Sequence, residues 1–183
     1  MAISSHLKKP IRMKLTTQRA NPPLDTWYTL MKNIFVLSLA LLGAPVAYAD
    51  FQGKVIKVAD GDTLTVLVNG NTQERVRLEN IDAPESSQAY GQQARNFLNS
   101  QVYGKFVYVK SNKMDLYKRH IGTIYLGNYN INQSIVQNGY AWAFREYLTD
   151  PNYIKYEQYA RQNRLGLWKD NNPIYPSNWR RSK

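Results

Sequence analysis

Cysteine is absent from the chain. That excludes disulfides, thiolate metal sites, cysteine nucleophiles and a lipid-carrying cysteine together. Histidine is scarce as well, with only His6 and His120. A zinc site or a hydrolase built on paired histidines therefore lacks its ligands. Acidic residues are few, 13 against 24 Lys and Arg, for a formal charge of +11. This balance favours anionic partners such as nucleic acid, phosphates or anionic lipid surfaces, and it is silent about fold. There is no internal repeat and no low-complexity tract.

What is present begins with a leader-like segment at Met31. Lys32 supplies a short positive region, Ile34 to Leu42 is apolar and uncharged, and Ala47-Tyr48-Ala49 is a small-x-small cleavage site followed by Asp50. This is the layout of a secretory signal peptide. The apolar run falls short of the roughly 20 residues of a membrane span. The expected organisation is a non-native or disordered extension over 1–30, a signal peptide over 31–49, a folded domain over 50–169 and a flexible basic tail over 170–183. Met31 is the expected initiator, and the product is expected to be exported, either periplasmic or secreted, with no stable membrane anchor after processing. The stretch 50–183 keeps 18 Lys and Arg against 12 Asp and Glu, so the basic character survives processing.

The first half of that stretch has strand character. Phe51 to Ala59, Thr63 to Val68 and Thr72 to Ile81 are rich in Val, Leu and Thr, and Asn69-Gly70-Asn71 is a hairpin signal. Pro84 ends the third strand. The period then changes: Tyr90, Ala94, Phe97 and Leu98 form a helical stripe. Lys105 to Lys110 and Arg119 to Leu126 return to strand character. A short helix ends at Gly139, and Pro151 to Leu165 reads as a last helix. Five strands with a helix between the third and fourth predict an α+β, β-rich OB-fold, a small Greek-key barrel. Trp142 and Trp168 read as core.

Three stretches carry chemistry. Asp60-Gly61-Asp62-Thr63 offers two carboxylates, hard oxygen donors suited to Ca2+ or Mg2+; a plain Asp-Gly turn explains it as well. Arg77 to Glu85 delivers Arg77, Asp82 and Glu85. A bend, expected near Pro84, must bring Arg77 and Asp82 to one site; the alternative is a surface salt-bridge cluster. Asp115-Leu116-Tyr117-Lys118-Arg119-His120 adds a second guanidinium, or else is a solvated basic loop. Together they supply the parts of phosphodiester cleavage: a carboxylate-held metal, a carboxylate that orients water, and two guanidiniums for developing phosphoryl charge. His120 points away from Arg119 and is expected to pack.

In order and spacing these stretches resemble the signatures of the staphylococcal nuclease-like (thermonuclease) family: Asp-Gly-Asp-Thr, Arg-x-x-x-x-Asp-x-Pro-Glu and Asp-x-Tyr-x-Arg. Asn132-Gln-Ser-Ile-Val-Gln-Asn-Gly-Tyr-Ala resembles a further family helix. The resemblance covers nearly all of 51–168. It implies that Asp62, Asp82 and the backbone carbonyl of Ala83 hold calcium, with magnesium or manganese as alternatives, and that Asp60 reaches the metal through water. It implies Glu85 as general base or water-orienting group, and Arg77 and Arg119 as the phosphate-binding arginines. Tyr117 matches a tyrosine of the nucleotide pocket, with Lys118 beside it as a further substrate contact. The best-known member has Thr in place of Ala83 and Lys in place of Leu116. Its second pocket tyrosine aligns with Arg145, while Tyr147 lies two residues on, so Arg145 and Tyr147 are both candidate substrate contacts. The implied function is a monomeric, calcium-dependent, endonucleolytic nuclease acting on DNA, RNA or both. The competing reading is a non-catalytic OB-fold that only binds nucleic acid.

Overall fold

The computed structural model describes residues 49–183. Residues 1–48 lie outside that range, and with them the extension read over 1–30 and nearly all of the signal segment. The described chain runs β1 (Phe51–Val58), β2 (Thr63–Val68), β3 (Thr72–Leu78), β4 (Ile81–Asp82), α1 (Gly91–Val102), β5 (Phe106–Met114), β6 (His120–Leu126), β7 (Tyr129–Asn130), α2 (Ile131–Gln137), β8 (Trp142–Ala143), α3 (Asn152–Gln162) and α4 (Pro176–Arg181).

β3, β2, β1, β5 and β6 are neighbours in that order, all antiparallel, and β3 then pairs in parallel with β6. That last pairing, Val76 with His120 through Leu78 with Gly122, closes the sheet into a barrel. The expected OB-fold is thus present, with α1 between the third and fourth long strands. The β2–β3 hairpin turns at Asn69-Gly70, both at positive φ (51° and 76°), the backbone that matches strand twist in a two-residue turn.

The barrel is filled from every strand by alternation. Val55, Leu64, Val66, Val76, Leu78, Val107, Val109 and Ile124 are buried and meet Ala94, Leu98 and Val102 of α1 and Ile131, Ile135 and Val136 of α2. Asn132 sits fully buried inside this apolar set. Its side chain accepts from the Ile124 amide (3.1 Å) and donates to the carbonyls of Glu79 (3.0 Å) and Gly122 (3.1 Å). One amide group therefore ties three main-chain groups together at the β3–β6 seam, adding a second bond to the Gly122 carbonyl, which also accepts from the Glu79 amide at 2.9 Å.

The structure departs from the expected segmentation in three places. The third strand stops at Leu78; Asn80 is at φ 66° and the chain restarts as β4, paired with β8. The bend expected near Pro84 lies instead at Glu79–Asn80, where the Asn80 side chain takes the amides of Thr149 (2.6 Å) and Asp150 (3.2 Å). The fourth long strand runs on to Met114, since the polar run Ser111-Asn112-Lys113 still pairs with β6 across a register shift. Residues 170–183, expected as a flexible tail, carry α4. Pro176 and Ser177 are buried, Tyr175 meets Trp142 edge-on at 5.1 Å, and the Ile174 carbonyl accepts from Gln88 at 2.6 Å. A proline at the first turn fixes the helix start, and the aromatic anchors supply burial that periodicity over so short a segment does not reveal.

Candidate active site

A cleft of about 340 Å³ is lined by Asp60, Asp62, Thr63, Arg77, Ala83, Pro84, Glu85, Tyr117, Arg119, Phe144 and Arg180. All three sequence stretches converge there. Asp60 and Asp62 come from the β1–β2 connection, Thr63 from the start of β2, Arg77 from the end of β3, Ala83 to Glu85 from the segment after β4, and Tyr117 and Arg119 from the β5–β6 loop.

The Asp60–Asp62 turn is pinned locally, with the Asp62 amide donating to Asp60 Oδ1 at 3.0 Å. Gly61 lets it lie against Ala83 and α1: a Cβ at 61 would sit 2.6 Å from the Ala83 Cβ and 2.7 Å from that of Ala94. The Asp62 carboxylate faces inward and accepts from the Ala83 amide (2.8 Å) and the Thr63 hydroxyl (3.2 Å). The Arg77 guanidinium bridges the two central carboxylates, Nη1 to Asp62 Oδ2 at 2.8 Å and Nη2 to Asp82 Oδ1 at 3.1 Å. It also donates to the Ile81 carbonyl at 3.1 Å, which ties β4 to the end of β3.

Burial pushes the Asp62 carboxyl up to about 7, against the pull of Arg77 and with the help of Asp60 and Asp82. The Asp82 carboxyl is also raised, again chiefly by burial, with Arg180 and Arg77 opposing. Two carboxylates buried beside two arginines would be favoured in their charged form by a further cation. The donors are hard oxygens: Asp62, Asp82 and the Ala83 carbonyl. Among the described residues no group of three His, Asp or Glu forms a ready-made metal cage. The donor set fits an ion such as calcium that completes its shell with water and phosphate oxygens.

Arg119 is oriented by Asp115. Nε and Nη2 lie 2.7 Å from Asp115 Oδ2, while Asp115 Oδ1 takes the amides of Tyr117 and Arg119, both at 2.9 Å. The guanidinium stands 5.4 Å from the Tyr117 ring centre. Asp115 is the loop's organiser, a role the sequence reading left unassigned although the residue belongs to the motif. Tyr117 and Tyr147 are exposed and border a second cavity of about 460 Å³ that shares Arg77, Tyr117, Arg119 and Phe144 with the cleft. Leu116 lines it too, 99% exposed.

Two expected substrate contacts lie elsewhere. Arg145 turns to the buried Glu157, Nη1 to Oε2 at 3.0 Å and Nη2 to Oε1 at 2.9 Å. It replaces an aromatic position with a structural ion pair. Lys118 is the positive-φ residue of the β5–β6 turn (φ 57°) and lines neither cavity. Arg161, on α3, bonds Glu157 at 2.7 Å and stacks 3.8 Å from the Trp168 ring centre. His120 packs as expected: Nδ1 meets Ser111 Oγ at 3.0 Å and Nε2 meets Glu74 at 3.2 Å. The residue that sequence reasoning missed is Arg180, whose guanidinium meets Asp82 and Glu85. One arginine of the Arg180-Arg181 pair in a basic tail carries no signal that could have singled it out.

A family model described as "Staphylococcal nuclease homologue" matches residues 75–170. The chain is 45% identical over 130 residues to an uncharacterized endonuclease of Haemophilus influenzae, covering 71% of this chain and 73% of that one. It is 44% identical over 156 residues to a micrococcal nuclease of Shigella flexneri, covering 79% and 89%. A protein named ParB from Escherichia coli is 36% identical over 165 residues, covering 84% and 92%. With the barrel, the converging carboxylates and arginines, and these relatives together, the chain belongs to the staphylococcal nuclease-like family.

Proposed function

We propose that this chain is a calcium-dependent nuclease that cuts phosphodiester bonds of DNA, RNA or both endonucleolytically, acting as an exported monomer. The observation that carries the reading is the meeting of Asp62, Ala83, Glu85, Arg77 and Arg119 around one cleft, from three separate stretches of chain. Asp62 and Asp82 would hold the ion with the Ala83 carbonyl, and Asp60 keeps the turn that presents Asp62. The ion, when bound, supplies Lewis-acid polarisation of the phosphoryl oxygens. Glu85, partly exposed at the cleft, would accept a proton from, or aim, the attacking water. Arg77 and Arg119 offset the charge that grows on the phosphoryl group and the leaving oxygen. Their forked guanidiniums are held by Asp62, Asp82 and Asp115, so little reorganisation is needed when the phosphate arrives. The adjoining cavity, with Tyr117, Phe144 and Tyr147 on its wall, is large enough for a base and offers ring faces for stacking. Leu116 and Arg145 differ from the pocket of the best-known member, so base preference is the property expected to diverge.

The test is digestion of covalently closed circular DNA and of RNA with calcium and with calcium chelated. Nicked and linearised circles, formed only with the metal, support the reading, because a circle offers no ends. Intact circles with Ca2+, Mg2+ and Mn2+ alike would leave the family's barrel as a nucleic-acid-binding module only. For export, the first residue of the mature protein should lie at or within a residue or two of Asp50.

A further inference from the structure

α4 reaches the carboxylates to which the proposed function gives the cation. Arg180 donates from Nη1 to Asp82 Oδ1 (3.2 Å), from Nη2 to Asp82 Oδ2 (3.1 Å) and from Nη1 to Glu85 Oε1 (2.8 Å). With Arg77 also on Oδ1, both oxygens of the fully buried Asp82 are engaged by guanidiniums. One side chain thus spans the expected metal ligand and the expected water-orienting carboxylate. Its placement is built rather than incidental. Gln88 holds the Ile174 carbonyl, the Ser177 hydroxyl donates to Glu146 at 3.3 Å, Lys183 Nζ donates to Ser87 at 2.9 Å, and Tyr175 rests on Trp142, the residue opposite Asp82 in the β4–β8 pair.

We propose that Arg180 is an internal competitor for the cation site, and that α4 is a clasp which a divalent ion must displace from Asp82. The proposal rests on the reading of Asp62 and Asp82 as metal ligands. The two cations need the same lone pairs: Asp82 Oδ1 already accepts from both Arg77 and Arg180, and Oδ2 accepts from Arg180, and a carboxylate oxygen already accepting two guanidinium bonds has little left to offer a metal. Withdrawal does not require unfolding: the Arg180 side chain is 42% exposed, and the anchors at Ile174, Tyr175 and Ser177 do not pass through it. In the metal-free protein the guanidinium keeps the buried Asp82 compensated, and in the metal-bound protein the ion takes over that task.

The experiment is calorimetric titration of the full chain with Ca2+, without nucleic acid, for the wild type, Arg180→Met and Arg180→Lys. Arg180→Met should bind calcium about ten-fold tighter or more, within the usual range of coupling between competing sites. Arg180→Lys should fall between. The metal-free Arg180→Met protein should melt below the wild type, and the gap should narrow at saturating calcium. Equal or weaker affinity in both variants overturns the competition while leaving the cation site standing. No calcium binding in any of the three overturns the reading of Asp62 and Asp82 as well.

Discussion

Glu157→Ala tests how the fold holds the site. Glu157 is 1% exposed and accepts four bonds: from the Ala143 amide (2.8 Å), from Arg145 (3.0 and 2.9 Å) and from Arg161 (2.7 Å). Although burial works against ionisation, Arg145, the Ala143 amide and Arg161 hold the carboxyl below its usual range. Truncation strands the Ala143 amide, a loss of about 1–3 kcal/mol for a buried unpaired donor. It also breaks a buried ion pair, which costs about 3–5 kcal/mol when the abandoned charge stays buried. Here the abandoned arginines are 47% and 43% exposed and regain water, so the second cost shrinks and the sum comes to about 3 kcal/mol. That is a large fraction of a stability of about 5–15 kcal/mol. Urea unfolding followed by tryptophan fluorescence reads it, since Arg161 stacks against Trp142 and Trp168. The difference should depend on pH. A carboxyl lowered on folding contributes stability that is present above the unfolded value and is lost as pH falls through the folded one. The gap between wild type and variant should therefore close in acid. A cost below about 1 kcal/mol at neutral pH, or one that does not shrink in acid, would refute the reasoning.

Other expectations follow from the same geometry. Glu85→Gln and Arg119→Ala should each lower kcat about 100-fold or more, the scale of losing one group aimed at transition-state charge, while leaving the urea midpoint near wild type; turnover within a few-fold of wild type removes the role assigned to that residue. Asn132→Leu should cost about 2–4 kcal/mol, because it removes the side-chain partner of the Ile124 amide and of the Glu79 carbonyl and one of the two bonds to the Gly122 carbonyl, and hydrogen exchange should rise first along β3 and β6; unchanged protection there contradicts the seam role. The Asp62 carboxyl, raised to about 7 on folding, binds a proton more tightly in the folded state, so metal-free stability should fall as pH climbs from about 4 to about 7 and level off above. Calcium binding near pH 6 to 7 should release protons, measurable by calorimetry in buffers of different ionisation enthalpy; buffer-independent heats would sink it.

The barrel was legible because its signals are local. Alternation marks β1, β2 and β3, Asn69-Gly70 marks the hairpin, and Tyr90, Ala94, Phe97 and Leu98 mark α1. Asp62, Arg77, Glu85 and Arg119 line one cleft, since each sits at a strand end or in a short connection whose direction the strands dictate. What could not be read depends on partners distant in sequence. Asn80 breaks the third strand because the amides of Thr149 and Asp150, some 70 positions on, reward its side chain. Arg145 leaves the substrate pocket because Glu157 lies one turn into α3. Arg180 arrives from 98 positions beyond Asp82. Polar side chains have no period, so their long-range pairing leaves no trace in a linear pattern.

These long-range pairs also explain why the loops stay in place. β4 is only two residues long and carries Asp82, so its own ladder cannot fix it. It is held from three sides: Arg77 grips the Ile81 carbonyl and the Asp82 carboxylate, β8 pairs with it through Ala143 and Trp142, and the Ala83 amide anchors on Asp62. β8 is in turn fastened to α3 by the bond from Ala143 to Glu157. The position of one buried carboxylate therefore depends on an arginine of the barrel wall, a two-residue strand and a glutamate on a helix outside the cleft. Loosening β8 or Glu157 should lower metal affinity before it unfolds the barrel, because the barrel's own closure runs through Asn132 and the β3–β6 ladder and includes neither of them.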